Sequence, residues 1–228
     1  MAIDGVVGAG SAQLDSNGSS ESIYGENRAQ LETLQRELVD SIEDLRQRIA
    51  EETGLDPVEH CLSRIKDEDS MREKCRRQGL PETQQSALVD IHDALGIRVV
   101  CAFRSDVFLV RDYLANLPGF TVHTEKDYIH TAKPNGYRSY HLILQTNDGR
   151  KPAGCENVGA DEGGFFVEVQ LRTISMDTWA ALEHHLKYKK KAPANEKLIV
   201  NELKRCADEL AGTDLSMQAL RDLIVGEL

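Results

Sequence analysis

Two short stretches concentrate side chains able to bind and to react: KPNGYRSYHLIL, starting at Lys133, and FFVEVQLRTISMDTWAALEHHLKYKKK, ending at Lys191. In the second, strict alternation places Phe166, Glu168, Gln170 and Arg172 on one face of a strand and Val167, Val169 and Leu171 on the other. One face can pack and the other can bind. A solvated sheet face produces the same alternation, so the neighbouring stretch matters. There Tyr137, Arg138, Ser139 and His141 follow a Pro134-Asn135-Gly136 turn, where a glycine lets the backbone approach a ligand closely. An aromatic, a guanidinium, a hydroxyl and an imidazole beside a turn, next to a strand carrying a carboxylate, point to a ligand site.

Upstream, SRIKDEDSMREKCRRQG holds Arg64, Lys66, Arg72, Lys74, Arg76 and Arg77. Helical spacing aligns Ser70, Lys74 and Arg77, a candidate phosphate clamp. Asp67, Glu68, Asp69 and Glu73 dilute it, and a mixed-charge run is also what a solvated helix looks like. Asp93 lies just before Gly96 and a strand containing Arg98, where it can meet Glu168 around a hard cation. Two carboxylates plus nucleotide phosphates suit Mg²⁺, although Asp93 can also serve as a simple turn or cap. The His92-Asp93 pair lacks the further ligands of a metal phosphohydrolase. With no GxxxxGK[ST] loop, and no strand ahead of Gly8 and Gly10, any triphosphate must be held by side chains.

These residues need a scaffold. The 228 residues suffice for one cored domain with helical extensions. A hydrophobic fraction of 40%, a charged fraction of 29% and the lack of a long apolar run predict a protein of the cytoplasm that avoids membranes. The net charge of −11 argues against broad nucleic-acid binding but leaves room for a local basic groove. Five scattered cysteines without a CxxC pair read as free thiols.

Residues 1–25, rich in Gly and Ser, read as a disordered tail. Helices are expected over Glu26–Ile49, Ser70–Arg77, Gln84–Ile91 and Asp106–Asn116, around Trp179 (read as core), and in 193–228. Strands are expected over Gly96–Phe103, Phe120–Tyr128, Arg138–Gln145 and Phe165–Arg172, with a mobile Gly-rich loop from Asn147 to Gly164. The fold class is therefore α+β: central strands flanked by helices, with long helices available for oligomerisation.

In order, RIKDEDSMREKCRR, DALGIRVVCAF, NGYRSYHLIL, VEVQLRT and MDTWAALEHHLKYK resemble the synthetase domain of the RelA/SpoT homologue family, in particular its small alarmone synthetases. The likeness runs from about Asp56 to Lys191 and implies a catalytic domain over 26–192. It also implies a mixed sheet of about five strands in a nucleotidyltransferase-like fold. The implied activity is pyrophosphate transfer from ATP to the 3′-hydroxyl of GDP or GTP, with Mg²⁺. Arg64 then resembles the arginine that stacks on adenine, and Lys66, Ser70, Lys74, Arg77 and Arg98 the ATP-phosphate ligands. Asp93 matches the magnesium aspartate, Tyr137 the aromatic that stacks on guanine, and Glu168 the catalytic glutamate and second metal ligand. Lys133 and His141 would lie towards the acceptor's phosphates, and Gln170, Arg172 and Asp177 would line the same pocket. The resemblance leaves open whether Glu168 takes the hydroxyl proton or helps the metal do so.

Long members carry a hydrolase domain upstream, which this sequence lacks, so synthesis without hydrolysis is expected. A homotetramer is implied. His60-Cys61-Leu62-Ser63 and Asp177 depart from the pattern of the members activated by alarmone. Two other readings share the motifs: a relative that pyrophosphorylates the 3′ end of tRNA, and a silent regulator that binds alarmone or single-stranded RNA.

Overall fold

The computed structural model describes residues 22–155, 163–188 and 196–226. After a 3₁₀ turn, α1 (Arg28–Thr53) buries Leu31, Leu34, Leu38, Ile42 and Leu45, one apolar stripe at steps of three and four. Gly54, at φ +72°, ends it in the left-handed conformation that a residue with a Cβ resists. Then come β1 (Val58–Ile65), α2 (Glu68–Gln78), β2 (Leu95–Cys101), α3 (Arg104–Ala115), β3 (Phe120–Asp127), β4 (Tyr140–Thr146), β5 (Phe166–Thr173), α4 (Ile174–Tyr188) and α5 (Glu196–Gly226).

The five strands form one sheet in the order β1-β2-β5-β4-β3. The β2–β5 pair is parallel and the other three are antiparallel, so the sheet is mixed, as expected. One face is apolar: Leu95, Ile97, Val99, Val167, Val169, Leu171, Leu142 and Leu144 are buried against α1 and against Val107, Val110 and Leu114 of α3. Each such aliphatic side chain contributes about 1.5–3 kcal/mol. The other face is left to polar side chains.

Several expectations shift. β1 was not foreseen. It is an edge strand whose register slips between Val58 and His60, which breaks the alternation that would have announced it. The helix expected over Gln84–Ile91 is a single π-helical turn, Ser86–Asp90. Residues 22–25, placed in the tail by composition, are packed: Ile23 and Tyr24 are buried, and the Tyr24 hydroxyl donates to the Lys66 carbonyl at 2.7 Å. Residues 1–21 lie outside the described part, as does 156–162 of the loop expected to be mobile. In place of several C-terminal helices, the described residues there form one, α5.

Gly164 shows how tightly β5 is entered. A Cβ at this position would stand 2.1 Å from the carbonyl oxygen of Thr146, whose backbone and hydroxyl both bond Phe165. Gly164→Ala is therefore expected to cost about 2–3 kcal/mol in thermal or denaturant unfolding.

A second test concerns α5. Arg221 pairs with Asp106, a carboxylate only 2% exposed, at 2.5 Å. Asp106 also accepts from the Phe103 amide at the start of α3. Arg221→Ala strands that charge and should lower stability by about 3 kcal/mol in the same measurement.

Candidate active site

Cross-strand pairing turns the polar face into rows. Leu62, Arg98, Gln170, His141 and Lys126 stand side by side from β1 to β3, and Arg64, Gly96, Glu168, Ile143 and Thr124 form the next row. Between β1, β2 and β5 the rows line an open cleft of about 240 Å³, whose wall includes Arg64, Asp93, Gly96, Arg98, Glu168 and Gln170. Gly96 was not singled out from sequence. A Cβ there would meet nothing within 4 Å, so its missing side chain keeps the cleft open between Arg64 and Glu168. A glycine inside a strand is itself a signal of close approach by a ligand.

Asp93 sits at the cleft floor. Its Oδ2 takes hydrogen bonds from Lys66 Nζ at 2.6 Å and Lys74 Nζ at 2.5 Å. Its Oδ1 is buried with no partner among the described residues. Burial works to raise the Asp93 carboxyl, but the two lysines outweigh it and hold the group below the usual carboxylate range. Lys74 is placed by α2, whose N-terminus is capped by Asp67 accepting from the Ser70 amide at 2.9 Å. Ser70 and Arg77 flank Lys74 by one helical turn and are exposed. The described structure brings neither into contact with the cleft carboxylates.

Glu168 belongs to a closed ring of polar contacts. Gln170 Nε2 donates to Glu168 Oε2 at 2.9 Å, and Arg172 Nη2 donates to Gln170 Oε1 at 2.7 Å and to the Tyr137 hydroxyl at 3.0 Å. That hydroxyl meets His141 Nε2 at 2.8 Å, and His141 Nδ1 lies 3.5 Å from Glu168 Oε1. His141, expected near the acceptor's phosphates, is thus tied to the aromatic and the carboxylate. Burial pushes the Glu168 carboxyl up, yet His141 and the Gln170 amide more than offset it, so the group sits below its ordinary value. It is ionised at neutral pH.

Asp177, in the first turn of α4, binds Arg172 Nη1 at 2.8 Å and lies 3.4 Å from Arg98 Nη1. Burial and the nearby Arg172 lower the Arg98 pKa, a sign of crowded positive charge that an anionic ligand would relieve. Lys133 Nζ stands 4.8 Å from the Tyr137 ring centre and 4.5 Å from that of Tyr128.

The turn before Tyr137 departs from expectation. Gly136, at φ +92°, is pressed against α5, not a ligand: a Cβ there would stand 2.6 Å from that of Ala207. The described cysteines are free thiols, and no cluster of three or more His, Cys, Asp or Glu able to hold a metal occurs among the described residues. Two carboxylates, Asp93 with its unpartnered Oδ1 and Glu168, line the same cleft and could hold a cation completed from outside the protein. That suits a hard ion carried in by phosphates and does not suit zinc.

Residues 63–193 match the model described as the region found in RelA / SpoT proteins. The chain belongs to the RelA/SpoT family. Among curated members of the family it is 38% identical over 155 residues to GTP pyrophosphokinase YwaC of Bacillus subtilis, covering 68% of this chain and 70% of that one. It is 34% identical over 169 residues to GTP pyrophosphokinase YjbM of the same organism, covering 72% of each. The RelA/SpoT fold is equally clear. The structure of small alarmone synthetase 1 from Bacillus subtilis, bound to its product pppGpp, aligns with a TM-score of 0.70 at 29% identity, over 85% of this chain and 94% of that one. Small alarmone synthetase 2 of that organism aligns at 0.66 and 32% identity, over 86% and 98%.

Proposed function

We propose that this RelA/SpoT protein transfers pyrophosphate from ATP to the ribose 3′-hydroxyl of GDP or GTP, releasing AMP. The observation that carries the reading is the cleft lined by Arg64, Asp93, Arg98 and Glu168, with Lys66 and Lys74 bonded to Asp93. A bond forms between the acceptor O3′ and the β-phosphorus of ATP. The bond from that phosphorus to the oxygen bridging it to the α-phosphorus breaks, and its electrons leave on AMP. Glu168, already ionised, takes the hydroxyl proton.

Such a transfer needs mainly positioning and charge neutralisation. Arg64 faces the adenine, while Lys66, Lys74, Arg98, Ser70 and Arg77 hold the ATP phosphates. The ammonium groups now on Asp93 Oδ2 would move to those phosphates and leave the carboxylate to a cation. Asp93 and Glu168 would hold Mg²⁺, which when bound would supply charge neutralisation to the phosphates. On the acceptor side the guanine lies on Tyr137, Lys133 and His141 lie towards the acceptor's phosphates, and Gln170, Arg172 and Asp177 line the same pocket.

Self-association, proposed here to give a tetramer, draws support only as association from α5, where Leu198, Leu215, Leu220, Leu223 and Ile224 are each more than half exposed. No helix among the described residues is long and apolar enough to cross a membrane.

Acceptor choice tests the reading directly. AMP release should depend on GDP or GTP and should not be supported by tRNA. Release driven by tRNA alone would assign the donor site to tRNA modification, and tight nucleotide or RNA binding without any AMP would leave a silent regulator.

A further inference from the structure

The residue at the centre of the acceptor side, Tyr137, is placed from behind by a helix that contributes nothing to the cleft. Gly136 abuts α5 so closely that its absent Cβ would fall 2.6 Å from Ala207 Cβ and 3.0 Å from Lys204 Cα. On the other side of Tyr137, Arg138 donates to Asp208 of α5 at 3.0 Å and to the Ile129 carbonyl at 3.1 Å. The Trp179 indole, edge-on to the Tyr137 ring at 6.2 Å, donates to the Leu203 carbonyl of α5 at 2.8 Å. Trp179, Leu203 and Ala207 form a small buried cluster of their own, with Tyr137 packed against it. Two successive turns of α5 therefore hold the residues on either side of Tyr137 and the indole that meets its ring.

We propose that α5 is part of the acceptor-binding apparatus, and that Ala207 is the positioning residue through which it fixes the turn carrying Tyr137. The inference rests on the reading of Tyr137 as the platform for a guanine base. The physical reason is volume. Ala207 is 4% exposed and its Cβ faces Gly136, so a large side chain at 207 would press on the turn and displace the ring it carries. Misplacing a binding group by about 1 Å can cost up to about 100-fold in productive engagement. The ATP side is held by β1, α2 and β2, which this displacement leaves alone.

The test uses the full chain. Ala207→Leu should raise the KM for GDP at least about tenfold, with the KM for ATP within about twofold and kcat at saturation within about threefold of the parent. Ala207→Gly, which keeps the space, should leave all three within about twofold. An equal rise in both KM values, or a fall in kcat alone, would overturn the inference in favour of a general structural role.

Trp179, the single tryptophan in the chain, provides a check that does not depend on a variant folding. GDP should shift its emission in the unaltered protein and ATP alone should not; an emission indifferent to GDP contradicts the inference. Tyr137→Ala separates the two layers. If it raises the GDP KM while Ala207→Leu does not, only the role of α5 fails. If it leaves the GDP KM unchanged, the reading of Tyr137 fails and the inference falls with it.

Discussion

Replacing Glu168 by glutamine is expected to lower kcat about 10³-fold while ATP and GDP still bind, because general-base assistance contributes about 10²–10⁴ and a neutral amide cannot accept the proton. The geometry makes glutamine the informative substitution. Glu168 Oε2 receives the Gln170 amide and Oε1 faces His141, so an isosteric amide keeps the size and much of the ring that joins these residues to Arg172 and Tyr137. What it removes is the charge. Steady-state kinetics with both nucleotides varied, beside direct binding by calorimetry, would show a collapse in kcat with KM values and dissociation constants little changed. A variant that bound neither nucleotide would place Glu168 among the structural residues.

Asp93→Asn should have the next largest effect, about 10²–10³ in kcat with Mg²⁺ present, the scale seen when one preorganised electrostatic partner is removed from a reacting group. The carboxylate faces two ways: Oδ2 neutralises Lys66 and Lys74, whose side chains are 13% and 19% exposed, and Oδ1 is buried without a partner among the described residues. Losing the negative charge frees both ammonium groups, so ATP measured without Mg²⁺ should bind at least as tightly as before. The combination of tighter or equal binding with slow transfer distinguishes loss of the cation from loss of the fold. Weakened ATP binding in the absence of Mg²⁺ would mean that Asp93 serves chiefly to position the lysines.

How much of this site could be read in advance depended on the kind of signal each residue left. β5 announced itself because its two faces differ, with Val167, Val169 and Leu171 buried at 0% and Glu168 and Gln170 partly exposed. β1 left no such trace, since an edge strand with a register slip and a 54% exposed Leu62 lacks the contrast that alternation needs. Gly136 illustrates a subtler limit. A glycine after Pro-Asn signals that something comes close to the backbone, but not what, and here it is Ala207, some seventy residues further along the chain. Residue types around Glu168 were legible, whereas the ring through Gln170, Arg172, Tyr137 and His141 depends on β4–β5 register, which no local pattern carries.

The identity of the co-product tests the central claim most directly. With ATP labelled at the γ-phosphate, GDP or GTP and Mg²⁺, pyrophosphate transfer predicts label on the guanosine nucleotide and one AMP for each label transferred. Formation of ADP, or of labelled inorganic phosphate with no labelled guanosine, would contradict it.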